Sequence, residues 1–135
     1  MFQTRSHPQV TSENEHFWHG GAEGQLRFLR CQACHFWLHP PTPSCSRCLS
    51  RNVAPEASSG RGTVASFTVN MHTWQPAMPP PYVIAIVELD DQEGLRVTTN
   101  LTGIAPEEVS IGQAVQVVFE RHGDVWYPLF ESVTA

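Results

Sequence analysis

A mainly β fold in two lobes is what this sequence predicts, and three features carry that expectation. The only four cysteines stand as Cys31-Gln-Ala-Cys34 and Cys45-Ser-Arg-Cys48, with ten residues between the pairs. A run of small and turn-forming residues, Pro55-Glu-Ala-Ser-Ser-Gly-Arg-Gly62, follows them. Beyond that run, β-branched and alternating apolar stretches are separated by turn residues. The expected order is a short N-terminal helix within residues 1–24, a zinc ribbon over 25–55, and a five-stranded Greek-key barrel of the OB type over 56–135.

Two Cys-x-x-Cys pairs at this distance close two tight knuckles, and four thiolates can then surround one Zn²⁺ at about 2.3 Å. Cys31, Cys34, Cys45 and Cys48 are therefore the expected ligands of a structural zinc ion. Pro40, Pro41 and Pro43 fill the interval with chain that bends without helix. Iron suits the same four-sulfur cage, and disulfides are the remaining alternative. No secretory leader opens the sequence, which predicts a reducing, cytoplasmic setting where disulfides rarely persist. Knuckles commonly place glycine just after the second cysteine, at a positive φ, but His35 and Leu49 stand there. Strained turns, or a metal held more weakly than usual, are the expectation.

Met1 to Val10 read as a loose arm. Ser12 and Glu15 form an S-x-x-E capping box for a helix over Glu13–His19, ended by Gly20-Gly21. Phe17 and Trp18 are adjacent and cannot share one narrow stripe of so short a helix. Either both staple the helix to the core, or one packs and the other meets a partner or ligand. Gln25–Arg30 leads into the first knuckle as a strand and Phe36–Leu38 returns from it. The barrel strands are expected at Thr63–Met71, Tyr82–Leu89, Leu95–Leu101, Ala114–Arg121 and Trp126–Glu131. Asp90–Gly94 turns the second strand into the third, and Ala105–Val109 forms one acidic helical turn before the fourth. That order is expected of an OB barrel, although a five-stranded sandwich or an SH3-like barrel is written in nearly the same letters.

Net charge is −5, with eight Arg and no Lys. Arg27, Arg30, Arg47 and Arg51 fall between Gly24 and Pro55, an interval without Asp or Glu, and the rest of the chain carries −9. With zinc and four thiolates added, about +2 remains on the ribbon. Arginine suits bidentate phosphate contacts, so these four are candidate anion-binding residues, the alternative being a solvated face. The loop His72-Thr-Trp-Gln-Pro-Ala-Met-Pro-Pro-Pro81 joins the first two barrel strands, where OB folds commonly place contacts. Its Trp74 and Met78 are candidate interface residues, because proline-stiffened chain loses little entropy on docking. The alternative is that Trp74 folds back as a lid on the barrel.

Taken together, the sequence resembles a known family that pairs a rubredoxin-like zinc ribbon with an OB fold. The resemblance covers roughly residues 12–132. It is carried by Phe17-Trp18, the two Cys-x-x-Cys pairs, Gly60-Arg-Gly-Thr-Val64, Pro81-Tyr-Val83 running into Val87-Glu-Leu89, Asn100-Leu101 and Ile111-Gly112. The family was long catalogued as a domain of unknown function and is associated with acyl-CoA and thiolase-type enzymes. The resemblance implies a noncatalytic accessory subunit that docks on a thiolase-superfamily enzyme, an acyltransferase or retro-aldolase of lipid or steroid side-chain metabolism. There it would help hold or channel an acyl-CoA, with zinc at the four cysteines and partner or ligand contacts at Phe17 and Trp18. CoA phosphates would then be the anions for Arg27, Arg30, Arg47 or Arg51.

Enzymatic chemistry of its own is not expected. All four cysteines are committed to the metal, and a closed four-thiolate site leaves no position for water. No G-x-S-x-G elbow, P-loop or H-E-x-x-H spacing occurs. No apolar run approaches membrane-spanning length, the longest candidate being Tyr82–Val87. The competing class is a single-stranded nucleic-acid module, since ribbons and OB barrels both serve it. That use needs a positive groove with stacking aromatics, whereas the barrel is acidic and Phe119, Trp126, Tyr127 and Phe130 lie in strands that must bury at least half of them.

Overall fold

The structure is a computed structural model that describes residues 5–133. The first four residues of the expected arm and the last two of the chain lie outside it. Helix α1 spans Glu15–His19, and the strands are β1 Arg27–Cys31, β2 Trp37–Leu38, β3 Val53–Ala57, β4 Arg61–Asn70, β5 Tyr82–Leu89, β6 Arg96–Thr102, β7 Ala114–His122 and β8 Val125–Ser132. They form a three-stranded sheet, β2-β1-β3, and a closed barrel, β4-β5-β6-β8-β7. Within the barrel only β6 and β8 run parallel, at Leu101↔Phe130 and Thr102↔Glu131. Closure of the first barrel strand onto the fourth, with a parallel third–fifth pair, is the OB connectivity; the sandwich and SH3-like readings do not have it.

The barrel strands fall where alternation predicts them. β5 matches its expected ends, and Leu95, Val97, Thr99 and Leu101 are all buried. Gly94 takes φ 83° at the β5–β6 turn, and a 3₁₀ turn over Pro106–Glu108 precedes β7. The motif Gly60-Arg-Gly62 has a steric basis. Gly60 sits at φ 70°, and a Cβ on Gly62 would lie 2.2 Å from the carbonyl oxygen of Glu88 across the β4–β5 pair.

Two local expectations are corrected. The helix starts at Glu15, with Asn14 as its N-cap residue and no side-chain cap bond, so Ser12 and Glu15 form no capping box. The entry is ordered instead by the Thr11 amide donating to Asn14 Oδ1 at 2.7 Å and by the Glu15 amide donating to the Thr11 carbonyl at 2.9 Å. At the other end α1 stops at His19 with Gly20 as its C-cap, as expected, and a 3₁₀ turn over Gly20–Glu23 follows and ends at Gly24, φ 70°. Finally, the run of small and turn-forming residues from Pro55 contains most of β3, which pairs with all five residues of β1. Pro55 is tolerated because β3 is an edge strand.

Ribbon and barrel share one apolar core. Phe17, Leu26, Phe28 and Trp37 pack in the same cluster as Val64, Val87, Leu89 and Phe130. The Gln92 side chain accepts from the Trp37 amide at 2.9 Å and donates to the Trp37 carbonyl at 3.1 Å, so it pins β2 to the β5–β6 turn as a strand neighbour would. Among the described residues, no helix is long and apolar enough to cross a membrane.

Candidate functional site

The four cysteines meet. Their sulfurs lie within 4.8 Å of one another, with Cys31–Cys48 at 3.6 Å and Cys34–Cys45 at 3.7 Å. A tetrahedron of sulfurs about 2.3 Å from a central ion has edges of about 3.8 Å, so the spacing fits Zn²⁺. Cys31 and Cys45 are fully buried, while Cys34 and Cys48 reach the surface.

Each knuckle turns its backbone amides onto its first sulfur. Cys34 N lies 3.4 Å from Cys31 Sγ, and Arg47 N and Cys48 N lie 3.3 and 3.5 Å from Cys45 Sγ. The Cys34 amide outweighs burial and helps bring the Cys31 thiol down to about 6, and the Cys48 amide leads the same effect at Cys45. At Cys48 the Ser50 amide pulls down, but the neighbouring Cys31 sulfur, burial and the other two sulfurs push the thiol up to about 11. Four thiolates cannot coexist here without a cation, and a divalent metal removes that conflict. His35 and Leu49 take φ 66° and 68°, as the missing glycines predict. His35 N and Leu49 N donate to the Cys31 and Cys45 carbonyls at 2.9 Å, which closes both knuckles.

The four ribbon arginines do not form one free patch. Glu23 and Glu56 bound the acid-free interval, and they pair with Arg27 at 3.0 Å and Arg30 at 3.4 Å. Arg30 also donates to the His35 carbonyl and lies 4.6 Å over the Trp37 ring. Arg47 lies over Phe36, 5.5 Å from its centroid, and Arg51 is exposed. Sequence spacing does not show the two ion pairs, because their acids sit just outside the interval from Gly24 to Pro55.

Phe17 and Trp18 both turn inward, which is the staple arrangement. Phe17 is 8% exposed and stacks on His39 at 5.1 Å. There it packs with Leu26 and Phe28 in the core. Trp18 keeps an edge toward solvent beside Pro40, Pro41 and Thr98, and it meets Tyr127 edge-on at 5.6 Å. Met78 is 9% exposed. Trp74 is 71% exposed, held outward by its Nε1 donating to Asn70 Oδ1 at 2.8 Å and by the His72 ring at 4.4 Å. The lid alternative is not what the structure has. Met71, also 71% exposed, stands near it in the chain. Among the barrel aromatics, Phe130 is fully buried, Tyr127 is 8% exposed and Phe119 packs on the core, so few rings remain for base stacking.

One polar cluster was missed by the sequence reading. Arg5, in the arm, reaches Glu120 Oε1 with its Nε at 2.8 Å and Asn100 Oδ1 with its Nη1 at 2.8 Å. Glu120 is 5% exposed, and His122 Nε2 lies 2.7 Å from the same Oε1. Burial alone would raise the Glu120 carboxyl, but the bonds from His122 and Arg5 outweigh it and hold it below the usual carboxylate range. A lone Arg in an irregular arm gives no periodic signal, and Glu120 lies on the face of β7 opposite Val115, Val117 and Phe119, which alternation assigns to solvent.

Comparison with known proteins agrees with both lobes. Residues 18–54 match the family described as the ChsH2 rubredoxin-like zinc ribbon domain, and residues 55–120 match the ChsH2 C-terminal OB-fold domain. The probable enoyl-CoA hydratase alpha subunit of Thermomonospora curvata is 39% identical over 93% of this chain and 39% of its own length. The 3-oxo-4,17-pregnadiene-20-carboxyl-CoA hydratase alpha subunit of Mycobacterium tuberculosis is 37% identical over 83% of this chain and 35% of its own. The chain thus spans well under half the length of these two relatives. A DUF35 domain-containing scaffold protein of Methanothermobacter thermautotrophicus is 34% identical over 68% of this chain and 69% of its own. Among solved structures, a chain of the Ltp2-ChsH2(DUF35) aldolase superposes with a TM-score of 0.85 at 34% identity, covering 95% of this chain and all of that one. This chain belongs to the DUF35 family, in which a rubredoxin-like zinc ribbon is joined to an OB-fold barrel.

Proposed function

We propose that this chain is a noncatalytic accessory subunit that docks on a thiolase-superfamily enzyme and helps hold or channel its acyl-CoA substrate. The partner's reaction would be acyl transfer or retro-aldol cleavage in lipid or steroid side-chain metabolism. The observation that carries this reading is the end-to-end likeness to the DUF35 chain of an aldolase. The metal site supports it, because four sulfurs complete the coordination of Zn²⁺ and leave no position for a reacting water. The hydratase alpha subunits and the scaffold protein support it as relatives whose names denote one part of an assembly or a support.

Docking is assigned to Trp74 and Met71, large apolar groups held outward beside a proline-rich loop. Phosphate contact is assigned to Arg47 and Arg51, which the ion pairs of Arg27 and Arg30 leave as the less committed pair. The test is coexpression with the thiolase-type enzyme encoded by the same organism, measuring complex mass and CoA-thioester turnover. A buried interface tryptophan contributes about 2 kcal/mol or more, so Trp74→Ala should weaken assembly about thirtyfold while leaving the chain's own Tm unchanged. Arg47→Gln with Arg51→Gln should raise KM for the CoA ester in a salt-dependent way. Unchanged assembly and turnover in both variants would remove the docking and phosphate assignments.

A further inference from the structure

We propose that the seam between β6 and β8 is a receptor for an arginine side chain, occupied in this structure by the chain's own Arg5 and able to take an arginine presented by a second protein. β6 and β8 pair along the backbone at only two positions, and beyond Leu101↔Phe130 the seam is joined by the Thr99 hydroxyl donating to the Pro128 carbonyl at 2.9 Å. Beside that seam lie three groups from three strands: Asn100 on β6, Glu120 on β7 and Tyr127 on β8. Together they match the three recognisable features of a guanidinium. The carboxylate of Glu120 takes Nε at 2.8 Å, the amide oxygen of Asn100 takes Nη1 at 2.8 Å, and the Tyr127 ring lies 5.6 Å from the guanidinium carbon. A lysine ammonium has no flat face to lay on the ring and no second, diverging donor in a rigid plane.

The receptor groups are oriented by the barrel. Asn100 Nδ2 donates to the Val83 carbonyl at 2.9 Å, which fixes the amide with its oxygen toward the guanidinium. His122 Nε2 holds Glu120 Oε1 at 2.7 Å. The occupant, in contrast, comes from a segment without secondary structure, residues 5–10, whose next contacts are the Tyr127 hydroxyl donating to the Ser6 carbonyl at 2.9 Å and Gln75 Nε2 donating to Ser6 Oγ at 3.0 Å. A preformed acceptor set on rigid strands and a ligand on an irregular tether is the arrangement of a site that can exchange its occupant. Charge complementarity favours a cationic one, since the chain from Arg61 onward carries nine carboxylates and three arginines. Beside Arg5, a cleft of about 300 Å³ lined by Pro79, Tyr82, Ile104 and Leu129 gives room for the aliphatic stem and flanking residues of an incoming peptide. The inference does not depend on which enzyme the chain serves.

The experiment uses the full zinc-loaded chain and two probes, N-acetyl-arginine methylamide and N-acetyl-lysine methylamide, titrated against wild type, Arg5→Ala and Arg5→Ala/Glu120→Gln. Binding is read from the Asn100 side-chain amide resonances. The tethered arm competes in wild type, so the arginine probe should bind Arg5→Ala at least about tenfold more tightly than wild type. It should also bind that variant about tenfold more tightly than the lysine probe does, and lose that affinity when Glu120→Gln is added. A folded Arg5→Ala protein that ignores the arginine probe, or takes both probes equally, overturns the proposal. If Arg5→Ala does not fold, hydrogen exchange of residues 5–10 in wild type decides. Saturating arginine probe must speed it by about tenfold and lysine probe must not; unchanged exchange refutes the receptor.

Discussion

Replacing His39 by phenylalanine should make the protein less sensitive to mild acid. His39 packs flat on Phe17 at 5.1 Å and edge-on to Phe28 at 4.9 Å, and its buried Nδ1 has no hydrogen-bond partner among the described residues. Burial, helped by the nearby His16, brings its pKa down from 6.5 to about 4. A histidine whose folded pKa is depressed binds protons more readily in the unfolded chain, so stability is full above the unfolded value and declines as pH falls from 6.5 towards 4. Between pH 7 and pH 5 the two pKa values give a loss of about 2 kcal/mol from this residue alone. Phenylalanine keeps the ring contacts and cannot be protonated. Urea unfolding of zinc-loaded wild type and His39→Phe at pH 7 and pH 5 isolates the effect, because cysteine and carboxylate titrations are common to both proteins. The variant should lose about 2 kcal/mol less than wild type over that interval. Equal losses in the two proteins would show that His39 is not the buried neutral group described here.

Three further outcomes follow from the same geometry. Leu49→Gly should stabilise the loaded protein by up to about 1 kcal/mol, since a positive φ strains leucine and the side chain is 76% exposed; a lower Tm would mean that Leu49 makes a contact not seen here. Gln92→Ala removes both bonds to Trp37 and should cost about 1–3 kcal/mol, with faster hydrogen exchange confined to β2 and its neighbours; uniform exchange would argue against a local clamp. Purified protein should be colourless and contain one zinc per chain by elemental analysis, and Cys31→Ser should abolish that stoichiometry; red protein containing iron would change the metal while leaving the fold.

The barrel was legible because each strand needs one face in the core, and alternation such as Leu95, Val97, Thr99 and Leu101 records that need directly. The metal site was legible because ligand chemistry fixes both residue type and spacing. What spacing cannot record is which polar groups meet across the fold. Glu23 and Glu56 answer Arg27 and Arg30 from outside the ribbon interval, and Arg5 reaches Glu120 over 115 residues. β3 was hidden by Pro55, a residue that argues against a strand until the strand is seen to be an edge. Met78 and Trp74 look alike in one loop, yet one is 9% and the other 71% exposed, because burial there depends on loop path rather than on local pattern.

The accessory-subunit reading meets its most direct test in affinity purification of the tagged chain from nuclease-treated native extract, with partner stoichiometry determined by mass spectrometry. The account predicts a thiolase-superfamily enzyme recovered in near-equal amount, lost when Trp74→Ala is used as bait. Recovery of nucleic-acid machinery in its place, through binding that falls steeply with salt, would contradict it and make the ribbon arginines a phosphate-backbone site.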